Sequence, residues 1–410
     1  MSKDIKSVSV YGLGYIGLPT ASLIASKGFE VIGVDNNEKI VEGINLGNVH
    51  IFEPGLDDIV REAVSNGNLS ASSEPVISDV HIMCVPTPFL KISDDPSPDL
   101  SYVFDALKAI ISVIKAGDLL IIESTCPVGT TIKIREEMIK EGIDADSIHI
   151  AYCPERVLPG NILSELVSND RIVGSLRSES NKHFVEFYRT FVEGDILTTD
   201  SKTAELSKLT ENSFRDVNIA IANELSMISD NFDIDVRELI DLANHHPRVN
   251  ILSPGSGVGG HCIAVDPWFI VSGDNINTRL IRTAREINDY KPSWVVGKVL
   301  ESIEDNGLKN PLITCFGLSF KPNIDDLRES PSLVVFNELK KRGLRVNAVE
   351  PNISKAEGIE LVSYQDALSS DIVLMLVSHD GFQEFLRENK DNLNIIMDFC
   401  GLLHNASSAH

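Results

Sequence analysis

The sequence predicts an α/β protein: two doubly wound parallel-sheet domains joined by a helical central section with one long helix. Three observations predict it. The apolar strand Val8-Ser9-Val10-Tyr11 runs straight into Gly12-Leu13-Gly14-Tyr15-Ile16-Gly17, a second β-α-β series starts near Pro311, and helical spacing persists from Asp200 to about Asn231. At 410 residues the chain exceeds the usual extent of one core. The expected divisions are 1–195, 196–300 and 301–410, the first and last of them Rossmann-like.

In the first division, a helix from Leu18 to Ser26 follows the glycines, then a turn at Lys27-Gly28 and a strand Val31–Val34 ending at Asp35. That order is the dinucleotide fingerprint. Gly12 allows the tight turn, Gly14 lets backbone N–H groups reach a pyrophosphate, and Gly17 lets helix and strand pack closely. Asp35 falls where a carboxylate binds both ribose hydroxyls and repels a 2′-phosphate, so NAD is expected over NADP. Further strands are read at Val80–Val85, Leu119–Glu123 and Ile148–Cys153, alternating with helices to about Val173. Such alternation predicts a parallel sheet, with ligands beyond the carboxyl ends of its strands. Three loops fall there: Val85-Pro86-Thr87-Pro88, Ser124-Thr125-Cys126-Pro127-Val128-Gly129-Thr130 and Cys153-Pro154-Glu155-Arg156. A proline after a strand is commonly only a stop.

The long helix places Ile221, Leu225, Ile228 and Phe232 at helical spacing, which reads as a core or subunit contact. Lys208 and Asn212 are four apart and share a face, as solvated residues also do. Beyond it lies Gly255-Ser256-Gly257-Val258-Gly259-Gly260-His261-Cys262-Ile263-Ala264-Val265-Asp266-Pro267. Backbone so poor in side chains lets a ligand reach the Cys262 thiol, although the glycines serve a tight turn equally well. The other five cysteines, Cys84, Cys126, Cys153, Cys315 and Cys400, lie in or beside apolar runs and read as buried and inert.

The second series reads as a strand Leu312–Phe316, the loop Gly317-Leu318-Ser319-Phe320-Lys321-Pro322, a helix after Pro331, and strands at Val346–Val349, Ile372–Val377 and Ile395–Asp398. Its first loop lacks G-x-G-x-x-G, so this sheet is expected to hold something other than a second dinucleotide. Lys321 and Arg328 are candidates for phosphate, against a plain solvated loop at Asp325–Glu329.

Composition narrows the classes. A formal net charge of −24 disfavours nucleic acid and anionic membrane as partners, though solubility alone accounts for much acid. No signal peptide opens the chain, no apolar run is long enough to span a bilayer, and CxxC pairs are lacking, so a cytoplasmic location is expected. His245, His246, His261 and Cys262 match no common zinc spacing, and no metal is expected. A redox-neutral NAD-dependent epimerase would share Gly12–Asp35 without needing a thiol. A catalytically silent NAD-binding subunit is the third rival.

Together the residues resemble the nucleotide-sugar 6-dehydrogenases, the UDP-glucose and GDP-mannose dehydrogenase group. The resemblance runs through Gly12–Gly17, the Thr125 loop, Pro154-Glu155-Arg156, Ala204-Glu205-Leu206-Ser207-Lys208 to Asn212, Gly259–Cys262, and Phe320-Lys321-Pro322 to Arg328-Glu329-Ser330. His246-Pro247-Arg248-Val249-Asn250-Ile251, followed by the cysteine loop, is similar to the branch acting on UDP-N-acetylhexosamines. The resemblance implies a four-electron oxidation of a C6 alcohol to a carboxylate with NAD, UDP-N-acetyl-D-mannosamine being the expected substrate and its gluco epimer the alternative. It implies Cys262 as nucleophile, Lys208 and Asn212 at the C6 oxyanion, Asp266 with Thr125 on water, and Glu155 in acid–base or hydrolytic chemistry. It implies cofactor contacts at Gly12, Gly14, Tyr15, Ile16, Gly17, Asp35, Pro86, Thr87, Thr125 and Arg328. Substrate contacts follow at Glu155, Arg156, Val157, Lys208, Asn212, Arg248, Asn250, Gly259 and Lys321, within a UDP-sugar-binding C-terminal domain. A homodimer or higher even oligomer through the long helix is likewise implied.

Overall fold

The computed structural model describes residues 5–90, 96–260 and 262–407. The chain forms two compact units, Met1–Thr210 with Trp268–Gly273, and Glu211–Pro267 with Asp274–His410. The long helix spans Ser201–Asp230, within a residue of each end that its periodicity predicts.

Strands of the first unit are β1 (Ser7–Tyr11), β2 (Glu30–Val34), β3 (Leu69–Ser72), β4 (Val80–Met83), a short hairpin of β5 (Phe89–Leu90) and β6 (Ser97–Pro98), β7 (Leu119–Ile122), β8 (His149–Tyr152), β9 (Arg171–Ser175) and β10 (Ile196–Asp200). Eight of them form one sheet in the order β10-β9-β8-β7-β4-β1-β2-β3. Side chains alternate across it: Val8 and Val10 pack with Leu18, Ala21 and Ile24 on one face, Tyr11 with Val103, Leu107 and Ile134 on the other. Because the strand order reverses beside β1, the loop that leaves β1 opens on the crevice where α/β sheets take ligands.

One pairing corrects the parallel sheet expected from sequence. β8 and β9 run antiparallel, with Ala151 opposite Ser175 and Tyr152 opposite Gly174. After β8 the chain stays at the carboxyl edge, where the buried Glu53 carboxylate accepts from Gly160 N at 2.8 Å and Ile162 N at 2.7 Å. β9 therefore enters from that edge and runs back. Its first residue, Arg171, lies on the ligand side.

The second unit carries a wholly parallel sheet of β11 (Leu312–Phe316), β12 (Arg345–Val349), β13 (Ile372–Met375) and β14 (Ile395–Asp398), ordered β12-β11-β13-β14. Its entry repeats that of the first. Gly12 and Gly317 both have positive φ, +90° and +88°, and donate to the last carbonyl of the next strand, Val34 at 2.8 Å and Val349 at 3.0 Å. The following amide then donates to an acid: Leu13 N to Asp35 Oδ2 at 2.9 Å, Leu318 N to Glu350 Oε2 at 2.7 Å. Lys321 thus follows a switch-point loop of the same construction, without the glycines a diphosphate needs.

Within this unit the long helix is joined to the helix Arg279–Asp305 by buried polar groups. Arg285 Nη1 pairs with Asp216 Oδ1 at 2.6 Å, Asn288 Nδ2 donates to the same oxygen at 2.8 Å, and Asn223 Nδ2 donates to Asn288 Oδ1 at 2.9 Å.

Candidate active site

In the first unit, packing accounts for two of the fingerprint glycines. A Cβ on Gly12 would lie 2.7 Å from the Cys84 carbonyl oxygen, and one on Gly17 would lie 1.8 Å from that of Gly12. Gly14 differs. A Cβ there would meet nothing within 4 Å, so its smallness serves whatever approaches the loop from outside. The helix Gly17–Ser26 presents its N-terminus at this point, a natural seat for a diphosphate. Asp35 is held by Leu13 N and by Asn37 N, each at 2.9 Å, which fixes its carboxylate at the end of β2. Tyr15 is exposed and Thr87 buried. These residues fit NAD.

The other two loops are braced from beneath. Ser124 Oγ donates to Val85 O at 2.8 Å, tying the Pro86-Thr87 loop to the Thr125 loop. On the long helix, the fully buried Glu205 accepts from Gly129 N at 2.6 Å, Thr131 N at 2.8 Å and Thr131 Oγ1 at 2.6 Å. Its carboxylate closes the N-terminus of the helix Thr130–Lys140. Burial raises the Glu205 carboxyl above the usual range, and the bonds from Thr131 and Gly129 oppose that shift.

Glu155 follows β8 and is buried. Oε1 accepts from Arg156 N at 2.7 Å, and Arg171 Nη2 lies 2.8 Å from Oε2. Arg171 Nη1 reaches Glu123 Oε1 at 3.4 Å, Tyr188 OH donates to that oxygen at 2.9 Å, and the guanidinium carbon lies 5.0 Å from the Tyr188 ring centre. Burial works against the Arg171 charge, but the two carboxylates outweigh it and raise its pKa. Burial pushes the Glu123 carboxyl up, against the pull of Arg171. The Arg156 guanidinium is spent on the Asp170 carbonyl, and Val157 is half-buried.

In the second unit, the cysteine loop lies on the loop that follows β11. A Cβ on Gly259 would lie 2.5 Å from the Glu329 carbonyl, and one on Gly260, whose φ is +87°, 2.8 Å from the Phe320 ring. Gly260 N donates to Arg328 O at 3.2 Å, and Gly255 N to Asn223 Oδ1 at 2.9 Å. Cys262 is exposed, and its carbonyl accepts from Val265 N at 3.0 Å and Asp266 N at 2.8 Å. Asp266, buried, opens the helix Asp266–Gly273 and accepts from Asn212 Nδ2 at 2.5 Å. The structure therefore brings Asn212, Cys262, Asp266 and Gly259 together with the backbone of the loop that bears Lys321 and Arg328. Lys321 is exposed, and Arg328 forks onto Asp326 at 2.6 Å. Arg248 and Asn250 stand on an exposed turn after the helix Val236–Asn244, where Asn244 brackets Ile251 N at 2.7 Å and Ile251 O at 3.0 Å. Lys208, half-buried, lies one turn before Asn212 on the long helix.

The five remaining cysteines carry thiols raised by burial. His261 lies outside the described residues. Among the described residues no group of three or more His, Cys, Asp or Glu could hold a metal ion, and no helix is long and apolar enough to cross a membrane. Sequence reading missed Glu205, Asn223, Glu123 and Arg171 as functional braces. Each is a polar residue amid apolar neighbours, and that pattern was the available signal.

A dinucleotide fingerprint loop with a carboxylate held at the end of β2, on one of two Rossmann-type sheets, defines a dinucleotide-binding protein of the Rossmann class. Comparison with known proteins narrows the class. The models of the UDP-glucose/GDP-mannose dehydrogenase family match in chain order: the NAD binding domain over residues 6–192, the central domain over 202–290 and the UDP binding domain over 314–405. The chain belongs to that family. It is 50% identical to an NDP-N-acetyl-D-galactosaminuronic acid dehydrogenase of Ralstonia nicotianae, over 97% of this chain and 96% of the relative. A UDP-N-acetyl-D-mannosamine dehydrogenase of Campylobacter jejuni is 48% identical over 97% of this chain and all of the relative, 100%. The solved UDP-N-acetyl-mannosamine dehydrogenase of S. aureus superposes with a TM-score of 0.88 at 40% identity, covering 97% of this chain and 95% of that one.

Proposed function

We propose that this enzyme oxidises the C6 alcohol of UDP-N-acetyl-D-mannosamine to the uronate by way of a thioester on Cys262. The observation that carries the reading is an exposed thiol on a glycine loop, with Asp266 and Asn212 hydrogen-bonded to each other one turn on. NAD supplies the hydride acceptor at both oxidation stages. Between those stages the Cys262 thiolate adds to the C6 aldehyde. The thiohemiacetal is oxidised to the thioester, which water cleaves to free the thiol and the carboxylate. Lys208 and the Asn212 amide stabilise the C6 oxyanion, each such donor being worth about 3 kcal/mol. Thr125 and Asp266 orient water, and Glu155 is the base of the hydrolytic stage. Lys321 and Arg248 touch the UDP moiety, with Arg156, Val157, Asn250 and Gly259 along the substrate. Pro86, Thr87 and Arg328 complete the cofactor contacts.

Relatives named for the mannosamine substrate support the manno configuration. The galactosaminuronic names of other close relatives favour a second reading, the galacto epimer. Following NADH production with UDP-N-acetyl derivatives of mannosamine, glucosamine and galactosamine, beside UDP-glucose and GDP-mannose, separates them. Highest kcat/KM with the manno sugar supports the proposal. Highest kcat/KM with another sugar overturns the substrate, and NAD binding without NADH formation from any sugar overturns the reaction.

The long helix supports a homodimer or higher even oligomer. Phe214, Ile221 and Ile228 recur every seventh residue and are 71%, 45% and 45% exposed within the chain, with Phe232 at 69%. Exposed apolar residues in such a row call for a partner. The three segments 1–195, 196–300 and 301–410 take the cofactor-binding, dimerising and UDP-sugar-binding roles in this proposal.

A further inference from the structure

We infer that Arg171 is a positioning residue for Glu155, and that Glu123 and Tyr188 fix Arg171 in turn. The inference rests on the proposed role of Glu155 in thioester hydrolysis. Arg171, Glu123 and Glu155 are only 4%, 3% and 9% exposed, yet they bring three ionisable groups to the carboxyl edge of the sheet. Burying such a set gains little stability over apolar residues of the same volume, so the fold alone does not require it. The antiparallel entry of β9 is what puts Arg171 at this edge.

The geometry has a specific feature. Arg171 Nη2 approaches Glu155 Oε2 to 2.8 Å, but off the line of a hydrogen bond, and neither atom has a hydrogen-bond partner among the described residues. Charge therefore holds Glu155, and the buried Oε2 keeps a lone pair that no directed hydrogen bond occupies. The other carboxylate oxygen is fixed by Arg156 N. On the far side, Glu123 takes Nη1 of Arg171, and the Tyr188 hydroxyl and Cys84 thiol donate to the two Glu123 oxygens at 2.9 Å and 3.4 Å. The Nη1 bond to Glu123 and the Tyr188 ring together hold the guanidinium off the hydrogen-bond line to Glu155 Oε2. In hydrolysis Glu155 Oε2 takes a proton from water as its oxygen bonds to the thioester carbon. The C–S bond then breaks and the Cys262 thiolate leaves.

Single-turnover kinetics on the full-length enzyme test this, with NADH followed optically and the Cys262 adduct by intact mass after acid quench. For Arg171→Met we expect both equivalents of NADH at near-normal rate and hydrolysis slowed roughly 10- to 100-fold, so that the thioester accumulates. The acid limb of the hydrolysis pH profile should move up, because the carboxylate loses its cation. Arg171→Lys should recover part of the rate. Normal hydrolysis with an unmoved acid limb in Arg171→Met, or equal slowing of oxidation and hydrolysis, overturns the role of Arg171. Should Arg171→Met fail to fold, Tyr188→Phe tests the same chain of contacts: a hydrolysis-selective slowing supports it, and an unchanged profile overturns it. Glu155→Gln keeps the two readings apart. Normal hydrolysis in Glu155→Gln sinks the base assignment itself, whereas slow hydrolysis there with a normal Arg171→Met sinks only the positioning role.

Discussion

At the residue scale, Asp35 and Lys291 show how a charge acts through its surroundings. Two backbone amides already hold the Asp35 carboxylate at the end of β2, so its orientation precedes any ligand. Steady-state kinetics with both cofactors should show NAD strongly preferred and Asp35→Ala narrowing the gap. Equal efficiency of the wild type with NADP would remove Asp35 from the role. Lys291 is almost fully buried, donates to Ser226 Oγ at 2.6 Å and sits 3.7 Å from the centre of the Trp294 ring. Burial lowers its pKa to about 7, with Asp230 opposing and Arg237 adding to the shift. The folded value is below the unfolded one of about 10.4, so between them the unfolded chain binds more protons and stability rises with pH. Lys291→Met should therefore gain most over wild type below pH 7 and converge with it near pH 10 in denaturant midpoints. A difference independent of pH would contradict this.

At the element scale, the long helix explains why the site was only partly legible in the sequence. Its existence and bounds followed from helical spacing, and β1, β2 and β11 to β14 from short apolar runs. What spacing concealed was which residues on it face inward. Glu205, Asn212, Asp216 and Asn223 are polar, yet they reach the Thr131 end of one helix, Asp266, Arg285 and the cysteine loop. The apolar residues Ile221 and Ile228, and Phe232 in the turn just past the helix, are exposed instead. β9 was equally hidden, because it begins with an arginine and runs antiparallel to β8, which short apolar runs do not reveal. Arg285→Leu should cost about 3–5 kcal/mol, since it leaves Asp216 buried without its cation. Adding Asp216→Leu should restore much of that loss in chemical denaturation, and an additive double variant would show that the pair does not act as a unit.

At the scale of the whole molecule, two sheets share one entry construction but only the first keeps the glycines that admit a diphosphate. That difference agrees with the family models, which match an NAD binding domain over 6–192 and a UDP binding domain over 314–405. The apolar row on the long helix adds an expectation about assembly. Light scattering at micromolar concentration should give a dimer or higher even oligomer, and Ile221→Glu should shift it toward monomer; a wild-type monomer would contradict the proposed contact. The central claim, a thioester route through Cys262, is tested most directly by the ratio of NADH formed to UDP-N-acetylmannosamine consumed, measured for wild type and Cys262→Ser. Two NADH per uronate in the wild type, with uronate formation abolished or severely slowed in Cys262→Ser, is the predicted result. One NADH with aldehyde as the product, or uronate made at the normal rate by Cys262→Ser, would contradict it.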